Sequence, residues 1–157
     1  MSSMVNTLHM ALIACFYIME LLLIIVIDLQ QRRILNEIAL PATVVALIIS
    51  LAYGRESFLL ALLGAVIGFL FFYALFWLGG RLYGPGALGF GDVKLAMLLG
   101  AMLGLQYILH TLALGILLAG LAAFLLILAG RAGRRNTLPY GVYLAAAGIF
   151  MLLWTNI

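Results

Sequence analysis

The sequence predicts an all-α integral membrane protein, a single polytopic domain over residues 1–157 built as a bundle of about six transmembrane helices. Two features of composition predict this class, because 68% of the residues are hydrophobic and only 8% are charged. A soluble globule could not keep so much apolar surface from water. The third observation is that the apolar residues form long runs, separated by short segments that carry most of the charges.

Six apolar runs are candidates for spanning helices, each of which needs roughly 20 apolar residues. They cover residues 8–27, 38–53, 58–78, 93–105, 107–129 and 138–155. The fourth run is short, and only Gly104 and Gln106 mark its boundary with the fifth, so a long hairpin or a re-entrant segment is an alternative there. The first run has no basic leader and no Ala-x-Ala cleavage site, which predicts a retained helix and not a signal peptide.

Cysteine and histidine usage predicts neither a disulfide nor a metal site. Cys15 is the single cysteine, so internal disulfides and a cysteine-based zinc cluster are excluded. His9 and His110 have no second ligand at metal-binding spacing. The net charge of +3 comes from basic residues dispersed among short loops. This pattern indicates membrane orientation, with the lipid bilayer as partner and no nucleic acid.

The basic residues also predict which side faces the cytoplasm. With six spans, the first, third and fifth loops lie on one side, and the other side holds only Arg55. The first side holds seven basic residues: Arg32, Arg33, Arg81, Lys94, Arg131, Arg134 and Arg135. Cytoplasmic loops are enriched in lysine and arginine. We therefore expect these loops in the cytoplasm and both chain termini outside.

Two of the five carboxylates, Asp28 and Asp92, are the candidate reactive groups. Asp28 closes the first apolar run, and Asp92 follows Gly89-Phe90-Gly91 and opens the fourth. The predicted topology brings both acids to the cytoplasmic edge, where two carboxylates can carry out acid–base chemistry on water. Each also has a simpler interpretation, because Asp92 suits a helix N-cap and Asp28 suits a solvated loop. An acid at a helix C-terminus opposes the macrodipole, which weakens the simpler interpretation of Asp28.

Small residues predict that Asp92 points toward the bundle interior. Ala96, Gly100 and Gly104 follow it at steps of four, and small residues let helices approach closely in lipid. Ordinary helix packing, with the acid incidental to it, is the alternative.

The glycine-rich stretches before Asp92 are predicted to be irregular. Gly79-Gly80 and residues 84–91 are not expected to be regular helix throughout. The loop could admit an extended peptide near Asp92, or it could be a plain cytoplasmic connector. It lacks the glycine, lysine and hydroxyl pattern of a phosphate-binding loop.

Two further ionisable residues have more than one interpretation. Glu20 lies inside the first run, where a bare charge costs about 3 kcal/mol, so we expect it to be protonated or paired in a structural hydrogen bond. Lys94 is expected either to reach lipid headgroups or to favour ionisation of Asp92. The arginines at 131, 134 and 135 are expected to contact anionic lipid.

Three segments together resemble the GxGD intramembrane aspartyl peptidases, and within them the type IV prepilin peptidases. Residues 28–36, from Asp28 to Asn36, resemble a first motif in which an aspartate is followed at fixed spacing by Ile-Pro-Asn, although Leu35 replaces the proline. Residues 89–95 match the second motif, and Pro139-Tyr140-Gly141 resembles the segment that opens the family's last helix. The three motifs occur in order and cover the length of the chain.

The resemblance implies an aspartic-type endopeptidase of the inner membrane, a hydrolase that needs no cofactor and no metal. It implies Asp28 and Asp92 as the catalytic pair, supported by motif residues Asn36, Gly89, Gly91, Lys94, Pro139 and Gly141. The implied substrate is a prepilin whose basic leader stays in the cytoplasm. Further partners are a second copy of the chain or the pilus assembly machinery.

Longer members of the family carry an N-terminal region with paired cysteines that is associated with methylation of the processed pilin. The chain is expected to lack this methyltransferase region and to resemble the short form of Flp-type, tight-adherence pilus systems.

Two other classes of function compete with a peptidase. A small proton-coupled transporter would relay protons through Asp28, Asp92 and Glu20, but it predicts inverted repeats, and none is evident. A non-catalytic membrane assembly subunit would instead use the Gly64-x-x-x-Gly68 and Gly100-x-x-x-Gly104 faces for helix packing.

Overall fold

The described part of the chain folds into α-helices. The computed structural model describes residues 2–31, 36–84, 88–130 and 139–155, and within these ranges every regular element is helical. The helices are α1 (Ser2–Gln31), α2 (Asn36–Ala52), α3 (Arg55–Tyr83), α4 (Phe90–Leu128) and α5 (Tyr140–Thr155). The all-α class is therefore confirmed. The expectations for Arg32, Arg33, Leu35 and the arginines at 131, 134 and 135 lie outside the described residues.

Three segments are long and apolar enough to cross a membrane: Leu8–Gln30, Arg55–Leu82 and Phe90–Leu128. The apolar parts of α2 and α5, Ile38–Ala52 and Tyr140–Thr155, are shorter. A membrane protein is thus supported, whereas the predicted number of about six spanning helices is not confirmed.

A chain reversal inside α4 accounts for part of this difference. Gly104 has φ 73° and ψ 176°, a region of backbone space that is essentially restricted to glycine. A Cβ on Gly68 of α3 would lie 3.0 Å from the carbonyl carbon of Ala96 and 3.4 Å from Cδ1 of Ile108. A straight helix would hold those two residues about 18 Å apart. Residues 90–103 and 105–128 are therefore two arms that fold back on each other, which agrees with the predicted boundary between the fourth and fifth runs and with the hairpin alternative.

Glycines hold α3 and α4 at very short separation. A Cβ on Gly64 would overlap the carbonyl oxygen of Gly100 and lie 2.7 Å from the carbonyl carbon of Gly104. A Cβ on Gly100 would overlap Gly64 and lie 2.6 Å from the nitrogen of Ala65. The predicted small-residue stripe is thus a contact within one chain. These glycines need no second protein to explain them, which weakens the argument for an assembly subunit.

The other helices pack around this pair. α2 packs against α3 and α4, α5 packs against α4, and α1 packs mainly against α5. Gly148 of α5 lets side chains from two neighbours meet over it, because a Cβ there would overlap Leu99 of α4 and lie 3.2 Å from Leu21 of α1. The apolar core includes Leu21, Phe72, Leu95, Leu98, Leu99, Ile108 and Leu144. This packing brings the end of α1 and the start of α4 together across α5.

Candidate active site

Asp92 is the third residue of α4, not its N-cap. The helix begins at Phe90, and the cap is Gly89, whose φ of −77° and ψ of 138° are extended. The prediction of Asp92 as N-cap is wrong because Gly91 is already helical, and the amide of Asp92 donates to the carbonyl oxygen of Gly89 at 3.1 Å. The Asp92 carboxylate in turn accepts a hydrogen bond from the Gly89 N–H. This is the reaching-back half of a capping box, and it fixes the carboxylate over the first turn.

Asp28 lies in the last turn of α1 on the buried side of that helix. Its side chain is 5% exposed. Tyr17, Leu21 and Ile24 precede it at helical spacing and are equally buried, so the acid ends an otherwise apolar contact face. The backbone N–H of Val142, in the first turn of α5, donates a hydrogen bond to the Asp28 carboxylate. The Oδ2 atom of Asp28 is enclosed and has no hydrogen-bond partner within the described ranges.

The two carboxylates lie close enough to interact electrostatically, although they are 64 residues apart in the chain. Asp92 is 8% exposed, so both acids are withdrawn from solvent. Each accepts a hydrogen bond from a backbone N–H of a different segment, Val142 for Asp28 and Gly89 for Asp92. Two such acids can divide one proton between them, so that one accepts a proton while the other donates. This is the arrangement that acid–base hydrolysis requires.

The third predicted motif lies against the first. Pro139 directly precedes α5, and its carbonyl oxygen accepts a hydrogen bond from the Val142 N–H at 3.3 Å. Gly141 is buried in the first turn of the same helix. Pro139 and Gly141 thus belong to the turn whose backbone contacts Asp28. Asn36 is the first residue of α2, and Leu35 lies outside the described residues.

Lys94 and Phe90 form one side of the start of α4. The Lys94 ammonium lies 4.9 Å from the centre of the Phe90 ring, a cation–π distance. The Phe90 ring meets Phe76 of α3 edge to face, with centroids 5.6 Å apart. Lys94 therefore folds back along its own helix toward the loop that precedes it. The headgroup and Asp92 interpretations of Lys94 both stay predictions.

The glycine-rich loop is shorter than the sequence predicts. α3 continues through Gly79 and Gly80 to Tyr83, so the expectation of irregular backbone at those two glycines is wrong. A long apolar helix precedes the pair, and the Arg81 guanidinium stacks over Trp77 across it, 5.1 Å from the ring centre, which supports the helix through the two glycines. Gly84, with φ 92°, ends the helix. Residues 85–87 lie outside the described residues, so the two interpretations of the loop stay open.

Glu20 is half-buried in the middle of α1. Its Oε2 atom is enclosed and lacks a hydrogen-bond partner within the part of the chain that the structure describes. The expected structural hydrogen bond is thus not found at this atom. Two buried threonines behave differently, because Thr43 donates to the carbonyl oxygen of Ala39 at 2.7 Å and Thr111 to that of Tyr107 at 2.8 Å. Within the described ranges, no group of three or more His, Cys, Asp or Glu residues could hold a metal ion.

The contact that sequence reasoning missed is the backbone N–H of Val142. Side-chain motifs give no signal for it, because any residue type at 142 would supply the same donor. Only the proximity of the first and third motifs, which the fold provides, identifies it.

Comparisons with known proteins give a consistent result. Residues 15–125, which include both aspartates, match the model of the type IV leader peptidase family. The chain is similar to proteins named prepilin leader peptidase/N-methyltransferase. The protein of that name from Aeromonas hydrophila is 35% identical to this chain over 128 residues, which cover 82% of this chain and 44% of the relative. The one from Pseudomonas putida is 33% identical over 135 residues, 86% of this chain and 47% of the relative.

A third relative with the same name, from Xanthomonas campestris pv. campestris, is 32% identical over 130 residues, 83% of this chain and 45% of the relative. The chain thus spans less than half the length of these curated relatives. No solved structure matches the chain significantly.

Proposed function

The chain belongs to the type IV leader peptidase family, and on that premise we propose that it is a membrane-embedded aspartic endopeptidase that removes the leader peptide of prepilins. One observation carries the proposal. Two aspartates 64 residues apart in the matched region, Asp28 on α1 and Asp92 on α4, are both buried and interact electrostatically. The named relatives supply the substrate class, since their names specify prepilin leader peptides.

The proposed reaction uses the two carboxylates with a single proton between them. The ionised carboxylate takes a proton from water as the water oxygen attacks the scissile carbonyl, and the protonated one donates to the carbonyl oxygen. Collapse of the resulting diol intermediate breaks the C–N bond, and the leaving amine receives a proton from the acid formed in the first step. The other carboxylate, ionised in the first step, takes a hydroxyl proton from the diol, so the new carboxyl group forms and the pair again holds one proton. The N–H groups of Val142 and Gly89 hold the two side chains in place during this exchange. Coupled acids titrate as a pair, so the roles are assigned to the pair and not to either residue.

The finer parts of the proposal concern the membrane. We propose that residues 1–157 form one peptidase domain with six crossings, in which the two arms of α4 cross separately and the acids lie at the cytoplasmic face. The reversal at Gly104 supports this arrangement, because it returns the end of α4 to the side on which the helix starts. The charge distribution of the loops supports the cytoplasmic orientation.

The proposal is tested with purified protein in detergent and a prepilin, followed by mapping of the new N-terminus. Asp28→Asn and Asp92→Asn should each lower the rate of cleavage by about 100-fold or more, the loss expected when a general acid–base group is removed. Glu56→Gln is the matched control, because Glu56 is an exposed acid in the first turn of α3 and should leave cleavage unchanged.

Full cleavage by either Asp→Asn variant would contradict the proposal. All three variants should insert into the membrane in equal amount, so that loss of activity is not loss of protein. The same assay with several prepilins decides whether the Flp-type expected from the resemblance is the preferred substrate.

A further inference from the structure

A cavity of about 560 Å³ lies at the end of the bundle opposite the acid pair. Residues of α1 to α4 line it, among them Ile13, Tyr17, Ile49, Ser57 and Gln106. A second hollow of about 480 Å³ adjoins it between α1 and α2 and shares Ile13, Ile49 and Tyr53 with the first. The cavity takes several side chains of a helix but is too small for a whole helix, whose diameter is about 10 Å.

The cavity opens between two helices whose packing partners differ. α1 packs mainly against α5, whereas α2 packs against α3 and α4. The residues that face each other across the second hollow are His9, Leu12 and Ile13 of α1 and Ile49 and Ala52 of α2. We call this line of separation between α1 and α2 the seam.

The α1 side of the seam runs toward the acid pair. Ile13, Glu20 and Ile27 are spaced by seven residues, so successive members differ by only about 20° around the helix and share one face. All three are half-buried. Ile13 lines both hollows, and Ile27 precedes Asp28. Glu20 lies between them, and its enclosed Oε2 atom has no hydrogen-bond partner among the described residues.

Counting residues along α1 and along α4 gives the same distance between the cavity and the two acids. Tyr17 precedes Asp28 by 11 residues and Leu103 follows Asp92 by 11 residues. Each interval corresponds to about 16 Å of helix. A second helix lying parallel to α1 advances by the same rise per residue. A residue about 8 places beyond the cleavage point would therefore reach Glu20, and residues about 11 to 15 places beyond would reach the cavity.

We propose that the seam and the cavity at its end receive the apolar helix of the substrate, with Glu20 as the polar contact half-way along it. The inference rests on the proposed function, which requires an apolar helix to lie beside the acids while its leader is cut. A buried carboxyl oxygen without a hydrogen-bond partner in a membrane helix is costly, and Oε2 of Glu20 is such an atom among the described residues. A hydrogen-bonding group on the bound helix satisfies the Glu20 side chain, and the cavity fixes the depth of the helix and therefore the peptide bond presented to the acids.

Filling the cavity tests this directly. Ser57→Trp places an indole in the cavity, and Leu59→Trp is the matched control, because Leu59 lies two residues further along α3 and is 46% exposed. Two substrates are compared, a full prepilin in the same membrane and a short peptide that spans the cleavage site without the apolar helix. Ser57→Trp should raise KM for the prepilin about tenfold with kcat retained, and should leave peptide cleavage unchanged.

Equal kinetics of the two tryptophan variants on the prepilin would overturn the inference. Loss of both substrates by Ser57→Trp would also overturn it, because that result indicates a damaged fold or a displaced lipid. Retention of the peptide activity is therefore part of the expected result.

Glu20 gives a second test that does not depend on volume. Glu20→Leu should raise KM for the prepilin about tenfold without changing kcat or peptide cleavage, whereas Glu20→Gln, which keeps a hydrogen-bonding group, should restore KM. A defect of the same size in both variants would overturn the assigned contact.

Cross-linking separates failure of the seam from failure of the proposed function. A photoreactive residue is placed at Ile49 in the seam, and at Leu117 as control because that α4 side chain is 69% exposed. Both are made in the Asp92→Asn background, in which the prepilin remains uncut. Selective capture of the prepilin at Ile49, through residues about 11 to 15 places beyond the cleavage site, supports the seam even if no variant cleaves. Equal capture at both sites, or capture of lipid alone at Ile49, overturns it.

Discussion

The Asp92 carboxylate is held by the chain immediately before it. The Gly89 N–H donates to it, and the space where Gly89 would carry a Cβ is taken by the same carboxylate, since that Cβ would lie 3.2 Å from Oδ2 of Asp92. Gly89 has an ordinary extended backbone, so its φ and ψ do not demand glycine. The close approach of the carboxylate does. At this residue, glycine sets the orientation of an acid and not the path of the chain.

Gly89→Ala should therefore lower kcat while the fold is retained. The added methyl group crowds Oδ2, moves the carboxylate by a few tenths of an ångström and loosens the Gly89 hydrogen bond, for which we expect a loss of about 10-fold to 100-fold in cleavage rate. Gly80→Ala is the control, because a Cβ there meets nothing within 4 Å. Steady-state cleavage of a prepilin measures both, and unchanged kcat in Gly89→Ala would contradict this account of Asp92.

At the scale of elements, the contact between α3 and α4 determines where the first arm of α4 lies. Backbone meets backbone at Gly64 and Gly100, and Gly68 lies against Ala96 one turn nearer to Asp92. Close approach of this kind gains van der Waals contact, which drives helix association in lipid, where apolar surface alone gives no driving force. The arm that carries Asp92 is therefore anchored against α3.

Gly100→Ala should destabilise the protein by roughly 1 to 3 kcal/mol, because the methyl group overlaps the backbone of Gly64 and neither helix has a side chain that can move aside. Gly120→Ala, in the second arm of α4, meets nothing within 4 Å and should leave stability unchanged or slightly raised. Thermal unfolding in detergent, followed by loss of helical signal, distinguishes the two. Equal midpoints would mean that the crossing relaxes without cost.

For the molecule as a whole, the reversal at Gly104 determines where the two ends of α4 lie relative to each other. A continuous 39-residue helix would be about 58 Å long, well beyond the roughly 30 Å of a hydrocarbon core. Because the two arms fold back on each other, the first and last residues of α4 lie toward the same end of the bundle, which predicts that residues 30 and 129 share one side of the membrane.

Labelling of single cysteines in a Cys15→Ser background tests this topology in inverted and right-side-out vesicles. Cysteines replacing Gln30 and Ala129 should react with an impermeant maleimide from the cytoplasmic side, and one replacing Glu56 from the other side. All three side chains are exposed, so reactivity reports sidedness and not burial. Labelling of residues 30 and 129 from opposite sides would contradict the reversal as a membrane hairpin.

Hydropathy and small-residue spacing predict the helical class, the apolar segments and the presence of close helix contacts at the glycine faces, because lipid imposes these patterns on the sequence directly. Which helices meet at those faces, α3 and α4, is known only from the structure. The boundary drawn between the fourth and fifth apolar runs, at Gly104 and Gln106, already predicts a reversal there. Whether the two runs are full spans, a long hairpin or a re-entrant segment stayed open, because one glycine in an apolar run is ambiguous until its φ is known. The N-cap was placed three residues too late because Gly91, a poor helix former, joins the helix. The Val142 contact is absent from the sequence prediction because its donor is a backbone N–H. The seam is absent because it depends on which helices pack together, α1 with α5 and α2 with α3 and α4.

The packing of α1 mainly against α5 has a consequence for the distance between the two acids. Asp28 lies on α1, which packs mainly against α5, a helix that carries no acid of the pair. Asp92 lies on the first arm of α4, which packs closely against α3. A tilt of α1, whether caused by a thinner bilayer or by a substrate helix bound beside it, changes the distance between the carboxylates of Asp28 and Asp92. If the chain has the proposed peptidase activity, its rate of cleavage should therefore vary with the thickness of the surrounding bilayer.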